Sequence, residues 1–337
     1  MKTLAAAAGV VAVAALGAGA ASAAGDAAKK PVTIALFVAI QANPVEQSII
    51  NNFMTVAKED GAAKFVVFDS NNSVQKEIAN CKDAIASKQY DAFALKSVAG
   101  PPLMNCAKEA MKAGIPVVAF GNALGPDPDT AARQIPGLSG SVIELAKTNG
   151  LTIAKLVDEA CAAKNAKPCK VIYTYGPLAF DWASISRKFF LDAVKDDKNI
   201  QVVATGLNNF DPNTARTLTK SLVQAHPDVD VIASDGDLGA IGVIQGLKDL
   251  GKKPGKDVLV TGGAYSKLGE NLLKSGEMYG STCLMPVTEA QTAAKYSIMA
   301  ARKQTIEHPD VEVCKLFAKT GSDPITQKNM SEFTPQF

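Results

Sequence analysis

Carboxylates, aromatic rings and cysteines are the side chains through which this chain can do chemistry. Asp181, Asp235 and Glu46 each fall at the exit of a predicted strand or in the loop just beyond it. There a carboxylate accepts hydroxyl protons or pairs with a cation, and Asp181 with Asp235 makes a candidate acid–base couple for a secreted hydrolase or isomerase. Phe180-Asp181-Trp182 holds the single tryptophan, and Phe120, Tyr265 and Met285 are also placed at strand exits, so together they offer an aromatic wall to a ring-shaped guest. The alternative for Trp182 is plain core packing, because its helix must bury one face.

Other chemistries find no support. Gly246-Leu247-Lys248-Asp249-Leu250-Gly251-Lys252-Lys253 starts like a phosphate-binding loop, but Lys253 replaces the hydroxyl that would hold magnesium, and Pro254 forbids the helix that must follow. It reads as a C-capping turn. Gly236-Asp237-Leu238-Gly239-Ala240-Ile241-Gly242 has the wrong glycine spacing for a dinucleotide site. His226 and His308 each precede a proline, no CxxC occurs, and no nucleophile elbow is present. No cofactor and no metal are implied. With 35 Lys plus Arg against 33 Asp plus Glu in 337 residues, and no basic block, the chain carries no electrostatic footprint for nucleic acid.

Residues 1–23 read as a secretory signal peptide: Lys2, an Ala/Val/Leu/Gly stretch, then Ala21-Ser22-Ala23 as the cleavage site. All six cysteines, Cys81, Cys106, Cys161, Cys169, Cys283 and Cys314, follow it, and an even count outside the cytosol reads as disulfides. Cys161 and Cys169 bracket a short loop that can close locally.

After Pro31 the chain alternates β-branched runs with amphipathic ones, the pattern of parallel sheets covered by helices. Strands are expected at 32–38, 64–68, 92–95, 116–120, 170–175, 201–205, 229–233, 257–260, 277–283 and 311–317. Helices are expected at 44–60, 74–87, 101–113, 141–163, 181–196, 211–225, 238–250, 265–274 and 287–303. The rhythm breaks between Gly121 and Gly140, where Pro126, Pro128 and Pro136 mark a passage from one α/β lobe to another.

Several segments carry a family resemblance: Thr33-Ile34-Ala35-Leu36 with Asn43-Pro44, Phe68-Asp69-Ser70-Asn71-Asn72, Ala113-Gly114-Ile115-Pro116, and Ala225-His226-Pro227-Asp228 leading into Ala233-Ser234-Asp235. Together they resemble the ribose-type periplasmic binding proteins of ABC importers. The resemblance implies a type I fold of two Rossmann-like parallel-sheet lobes, with three crossing segments forming a hinge. The first lobe is expected over 31–138 plus 286–316, the second over 139–284, and the tail, 317–337, on the second lobe. The crossings are expected near 138–140, 284–285 and 314–317. This topology suggests disulfides 81–106, 161–169 and 283–314. It also implies a periplasmic monomer that shuts on a small cyclic solute and presents it to a membrane permease. A sensing module for a membrane receptor would use the same clamp.

Ligands of such sheets sit beyond the carboxyl ends of the strands. On that basis, together with the positions that the resemblance implies (Asn43, Asn122, Phe210, Asp235 and Leu284), the expected contacts are Gln41, Asn43, Phe120, Asn122, Phe180, Asp181, Trp182, Phe210, Asp235, Tyr265 and Leu284. The family's sugar-gripping groups are thinned here: Gly121-Asn122 stands in place of Asp-Arg, Ser186 in place of an arginine with Arg187 one step out of register, Gly263 in place of Asp and Leu284 in place of Gln. Because an unpaired buried polar group costs about 1 to 3 kcal/mol, such a cleft should tolerate a less hydroxylated guest, and the expected solute is a small cyclic sugar, sugar derivative or polyol that need not be a standard pentose or hexose.

Overall fold

The computed structural model describes residues 29–316 and 324–337; the expected signal peptide, 1–23, lies outside the described residues. The chain first runs through β1 (Val32–Val38), α1 (Pro44–Asp60), β2 (Ala63–Asp69), α2 (Val74–Ser87), β3 (Ala92–Leu95), α3 (Gly100–Lys112), β4 (Val117–Gly121) and β5 (Gly140–Ile143). It continues as α4 (Ala146–Lys164), β6 (Cys169–Tyr175), α5 (Asp181–Val194), β7 (Ile200–Leu207), α6 (Pro212–Ala225), β8 (Val231–Ser234), α7 (Asp237–Asp249), β9 (Leu259–Thr261), α8 (Lys267–Ser275) and β10 (Gly280–Ser281). It closes with α9 (Pro286–Ala301), β11 (Asp310–Glu312) and β12 (Ile325–Thr326).

These strands build two 6-stranded sheets, ordered β11-β5-β4-β3-β1-β2 and β12-β10-β9-β8-β6-β7. All pairings within them are parallel except β12 on β10. Local chemistry fixes the element ends. Asn43 caps α1 before Pro44, Asp211 caps α6 before Pro212, and Gly61 ends α1 in the left-handed region at φ 76°. α1 and α9 cover one face of the first sheet, where Phe53 and Phe120 meet Ala290, Ala293, Ala294 and Ile298. The small alanine side chains of α9 let it lie close on the sheet. α2 and α3 cover the other face. In the second lobe α4 and α5 pack on one face, and α6, α7 and α8 on the other.

Periodicity assigns one segment to the wrong element type. Residues 140–143 are not the first turn of a helix but β5, held between β4 and β11. Val142 and Ile143 fit a helical stripe equally well, and pairing on both sides decides for the strand. The first sheet therefore runs to Ile143, and the first crossing falls at 144–145 rather than 138–140. The strand expected at 277–283 shrinks to Gly280–Ser281. That expected at 311–317 shrinks to Asp310–Glu312 with a 3-10 turn, Val313–Leu316. α9 returns to the first sheet and the tail adds β12 to the second.

The cysteines pair as Cys81–Cys106, Cys161–Cys169 and Cys283–Cys314. The first joins α2 to α3 across a separation of 25 residues, the second closes only 8, and the third links two crossings. Loop-closure entropy grows with separation. Replacing Cys81 and Cys106 together by alanine is expected to lower the unfolding free energy by about 3 kcal/mol. Replacing Cys161 and Cys169 should cost measurably less, as read by urea denaturation without reductant.

Candidate functional site

Strand exits from both sheets converge on one cleft of about 910 Å³, its open mouth included. Ala39 follows β1, Lys96 follows β3, Gly121 ends β4 and Asn122 follows it, and Glu144 follows β5 on the first lobe. Phe180 follows β6, Asn209 and Phe210 follow β7, Gly236 follows β8, and Ala264 follows β9 on the second. Leu284 lies on the second crossing, and Phe337 of the tail also reaches the lining.

The second lobe supplies an aromatic wall. Phe210 lies 6.0 Å from Trp182 and 6.5 Å from Phe180, ring centre to ring centre, each pair edge to face. Its seat is built by buried polar groups. The buried Asn208 accepts a hydrogen bond from Phe210 N at 2.9 Å and donates toward Thr174 and Ser234, pinning a turn in which Asn209 and Phe210 both take left-handed conformations. Gly176 leaves room for the ring: a Cβ there would come within 2.1 Å of it.

The first lobe supplies a charged floor. Lys96 Nζ lies 2.6 Å from Glu46 Oε1 and 3.9 Å from Glu289 Oε1, and all three residues are buried. Glu144 accepts the backbone N–H of Met285. Glu46 and Glu289 stand in the first turns of α1 and α9, where helix dipoles favour negative charge. Burial nevertheless raises Glu289 to about 7, with Lys96 opposing, and raises Glu144 well above the ordinary carboxylate range, with Glu289 adding to the shift. Lys96 is raised and stays charged, because Glu46 and Glu289 outweigh its desolvation. Glu46 Oε2 and Glu289 Oε1 have no hydrogen-bond partner.

Of the residues expected at the site, Asn43, Asn122, Phe180, Trp182, Phe210 and Leu284 line the cleft. Gln41 is exposed and outside it, its carbonyl accepting from Gln47 Nε2. Phe120 points into the core against Phe53, because alternate strand residues face opposite ways. Tyr265 is buried with its hydroxyl on Met330 O, under the tail. Asp235 is fully buried behind the lining: its Oδ2 accepts Gly176 N at 2.8 Å, and burial raises its carboxyl to about 7. It thus holds the loop on which the Phe210 ring rests. Arg187 stacks 4.8 Å over the Tyr175 ring, and Ser186 is buried on Asn149.

Asp181 also lies outside the cleft and does something different. α3 opens with Gly100-Pro101-Pro102, and its N-cap residue Ala99 has no capping side chain. Gly100 N donates instead to Asp181 Oδ2 at 2.8 Å, and Asp181 N donates to Val98 O at 3.0 Å. A carboxylate of one lobe therefore caps a helix of the other. Asp181 and Asp235 each accept a different backbone N–H, Gly100 and Gly176, and neither lines the cleft, so they are not the acid–base couple expected there. Lys96, Glu144 and Glu289 went unrecognised in the sequence. Lys96 directly after a buried four-residue strand was the available signal.

A family model described as the periplasmic binding protein domain matches residues 34–329. The chain belongs to that family. This periplasmic binding protein is 27% identical over 268 residues to the ribose import binding protein of Salmonella typhimurium, covering 75% of this chain and 84% of that one. It is 25% identical over 285 residues to the Bacillus subtilis ribose import binding protein, covering 83% and 87%. Its fold matches an ABC transporter solute binding protein from Bacillus halodurans with bound myo-inositol, at TM-score 0.75 and 16% identity over 92% of this chain and 99% of that one. It also matches a periplasmic solute binding protein from Actinobacillus succinogenes with bound D-allose, at TM-score 0.71 and 21% identity, covering 90% and 100%. The periplasmic binding protein is thus a two-lobed binder rather than an enzyme. Among the described residues no helix is long and apolar enough to cross a membrane.

The cap from Asp181 acts only while the lobes touch. Its removal in Asp181→Ala is expected to cost the closed form about 1 kcal/mol, shifting the open-to-closed ratio roughly fivefold toward open. Small-angle scattering of the free protein should show the larger radius of gyration, with the melting curve of the separate lobes little changed.

Proposed function

We propose that this chain is an exported solute receptor that captures a small cyclic solute between its lobes and delivers it, as a monomer, to the membrane permease of an ABC importer. The observation that carries the reading is the two-sided cleft, aromatic on one lobe and hydrogen-bonding on the other. A flat ring with polar edges satisfies both walls at once, and only when the lobes meet. Ligand binding then favours the closed form by the difference in its affinity for the two forms. Moving the balance from 1:99 to 99:1 takes about 5.5 kcal/mol, within reach of a few hydrogen bonds and one aromatic contact.

The ribose import binding proteins, and the myo-inositol and D-allose held by the two structural relatives, support the solute class. The Ala-rich leader with its Ala21-Ser22-Ala23 site supports export to the periplasm through a cleaved signal peptide. The proposed hinge-bending lobes are 31–143 with 286–316, and 146–281 with the tail.

A thermal-shift screen of pentoses, hexoses, cyclitols and polyols against the full chain is expected to find compounds that raise the melting temperature, since binding to the folded form alone stabilises it. A panel in which none does so overturns the reading. Trp182→Ala should weaken the best compound about tenfold, the loss of roughly 1.4 kcal/mol of ring contact. It should leave the melting temperature of the free protein near that of the parent. Affinity unchanged by this substitution would remove the aromatic wall from the argument.

A further inference from the structure

The donors and acceptors that line the cleft are out of balance. Among the described residues Lys96 is the one cationic side chain in the lining, and it is committed to Glu46 at 2.6 Å and, more loosely, to Glu289 at 3.9 Å. Asn43 Oδ1 is committed to Val45 N, Asn122 Nδ2 to Ser97 O, and the carboxylate of Asp237 to Ser266 and Ser281. Glu46 Oε2 and Glu289 Oε1 are buried without a hydrogen bond, Glu289 Oε1 lying 3.9 Å from the Lys96 ammonium, and Glu144, which accepts Met285 N, adds a third carboxyl group against that single ammonium. A buried carboxylate without a partner is costly, and a second acceptor brought beside it raises the cost. Facing this floor, Phe180, Trp182 and Phe210 present rings, whose π faces attract cations.

Resting on the proposed reading of the cleft as a solute site, we propose that the solute carries a positively charged amino group, which sits between the carboxylates of Glu46, Glu289 and Glu144 and the aromatic wall. An ammonium brings three donors and no acceptor, the complement of what the floor lacks. A neutral sugar hydroxyl brings one donor and no charge, so it leaves the excess of carboxyl groups over the one ammonium on this floor unanswered. Acidic solutes, phosphorylated or carboxylated, are excluded by like charge.

Protonation supplies a second readout. The charged groups facing the site are Glu46 on α1, Lys96 after β3, Glu144 after β5, Asp237 on α7 and Glu289 on α9. In the empty cleft, burial raises Glu289 and Glu144, so they hold protons at mildly acid pH that an arriving cation must displace. Amine affinity should therefore rise between pH 5.5 and 7.5, with protons released to the buffer. A neutral solute should show a much flatter profile.

The test is calorimetric titration of the full chain with matched pairs: D-glucose and D-glucosamine, D-galactose and D-galactosamine, myo-inositol and an amino-deoxyinositol. The amine member is expected to bind at least tenfold tighter in one or more pairs. Glu289→Gln should weaken the amine member more than its neutral partner in the same pair, erasing most of that advantage. Glu144→Gln gives the same comparison if Glu289→Gln does not fold. Neutral members that bind as tightly as the amines, an advantage that survives both substitutions, or a flat pH profile for the amine each overturn the charge assignment and leave the solute-receptor reading in place. Binding by no member of any pair, with no hit in the broader neutral screen, overturns both.

Discussion

Two sheets that point their strand carboxyl ends at the same gap impose the constraint from which the rest of this molecule follows. The chain passes between the lobes at 144–145, at 282–285 and between the 3-10 turn and β12. Glu144 of the first passage holds the backbone of Met285 in the second, and Cys283–Cys314 ties the second to the 3-10 turn that leads into the third. Motion between the lobes must bend these linked segments together. Strand exits then become cleft walls by geometry alone, and residue identity at each exit decides what the cleft can hold.

The division of chemistry between the walls is physical rather than ornamental. Rings on the second lobe need a rigid seat, and Asn208, Gly176 and Asp235 provide it without entering the cleft. Charges on the first lobe need low water access to act strongly, and α1 and α9 bury them while aiming their N-terminal dipoles at the same spot. Asp181 adds a contact that exists only across the closed gap, so closure has a contribution independent of any guest.

Departures from the family pattern are coupled to one another in space. Gly121 stands where the resemblance implies Asp, in a left-handed conformation at φ 73°, and a Cβ there would come within 2.7 Å of the Lys96 side chain. Loss of that carboxylate makes the room in which the lysine stem lies. Gly263 likewise stands where Asp is implied, and a Cβ there would meet Asp235 O at 2.5 Å. At both altered positions the space a side chain would need is thus taken by a neighbouring group.

Local patterns in the sequence determined most of the architecture. Alternation of β-branched and amphipathic runs set β1, β3, α1 and α2 to the residue, because period and capping chemistry are properties of short segments. The resemblance carried the topology and the cysteine pairs with it. Only part of the aromatic wall was legible: Phe180 and Trp182 follow a strand in the chain and Phe210 came with the resemblance, whereas Phe120 and Tyr265, expected beside them, face the core and the tail. What tertiary structure decided was everything set by pairing or by approach from afar. β5 is a strand because β4 and β11 flank it, and Phe120 faces the core because of its place in the pleat. Asp235 is a support because Gly176 lies against it. Lys96, Glu46, Glu144 and Glu289 form one cluster only because separate segments meet at the floor of the cleft, and no periodicity in a single chain segment encodes that meeting.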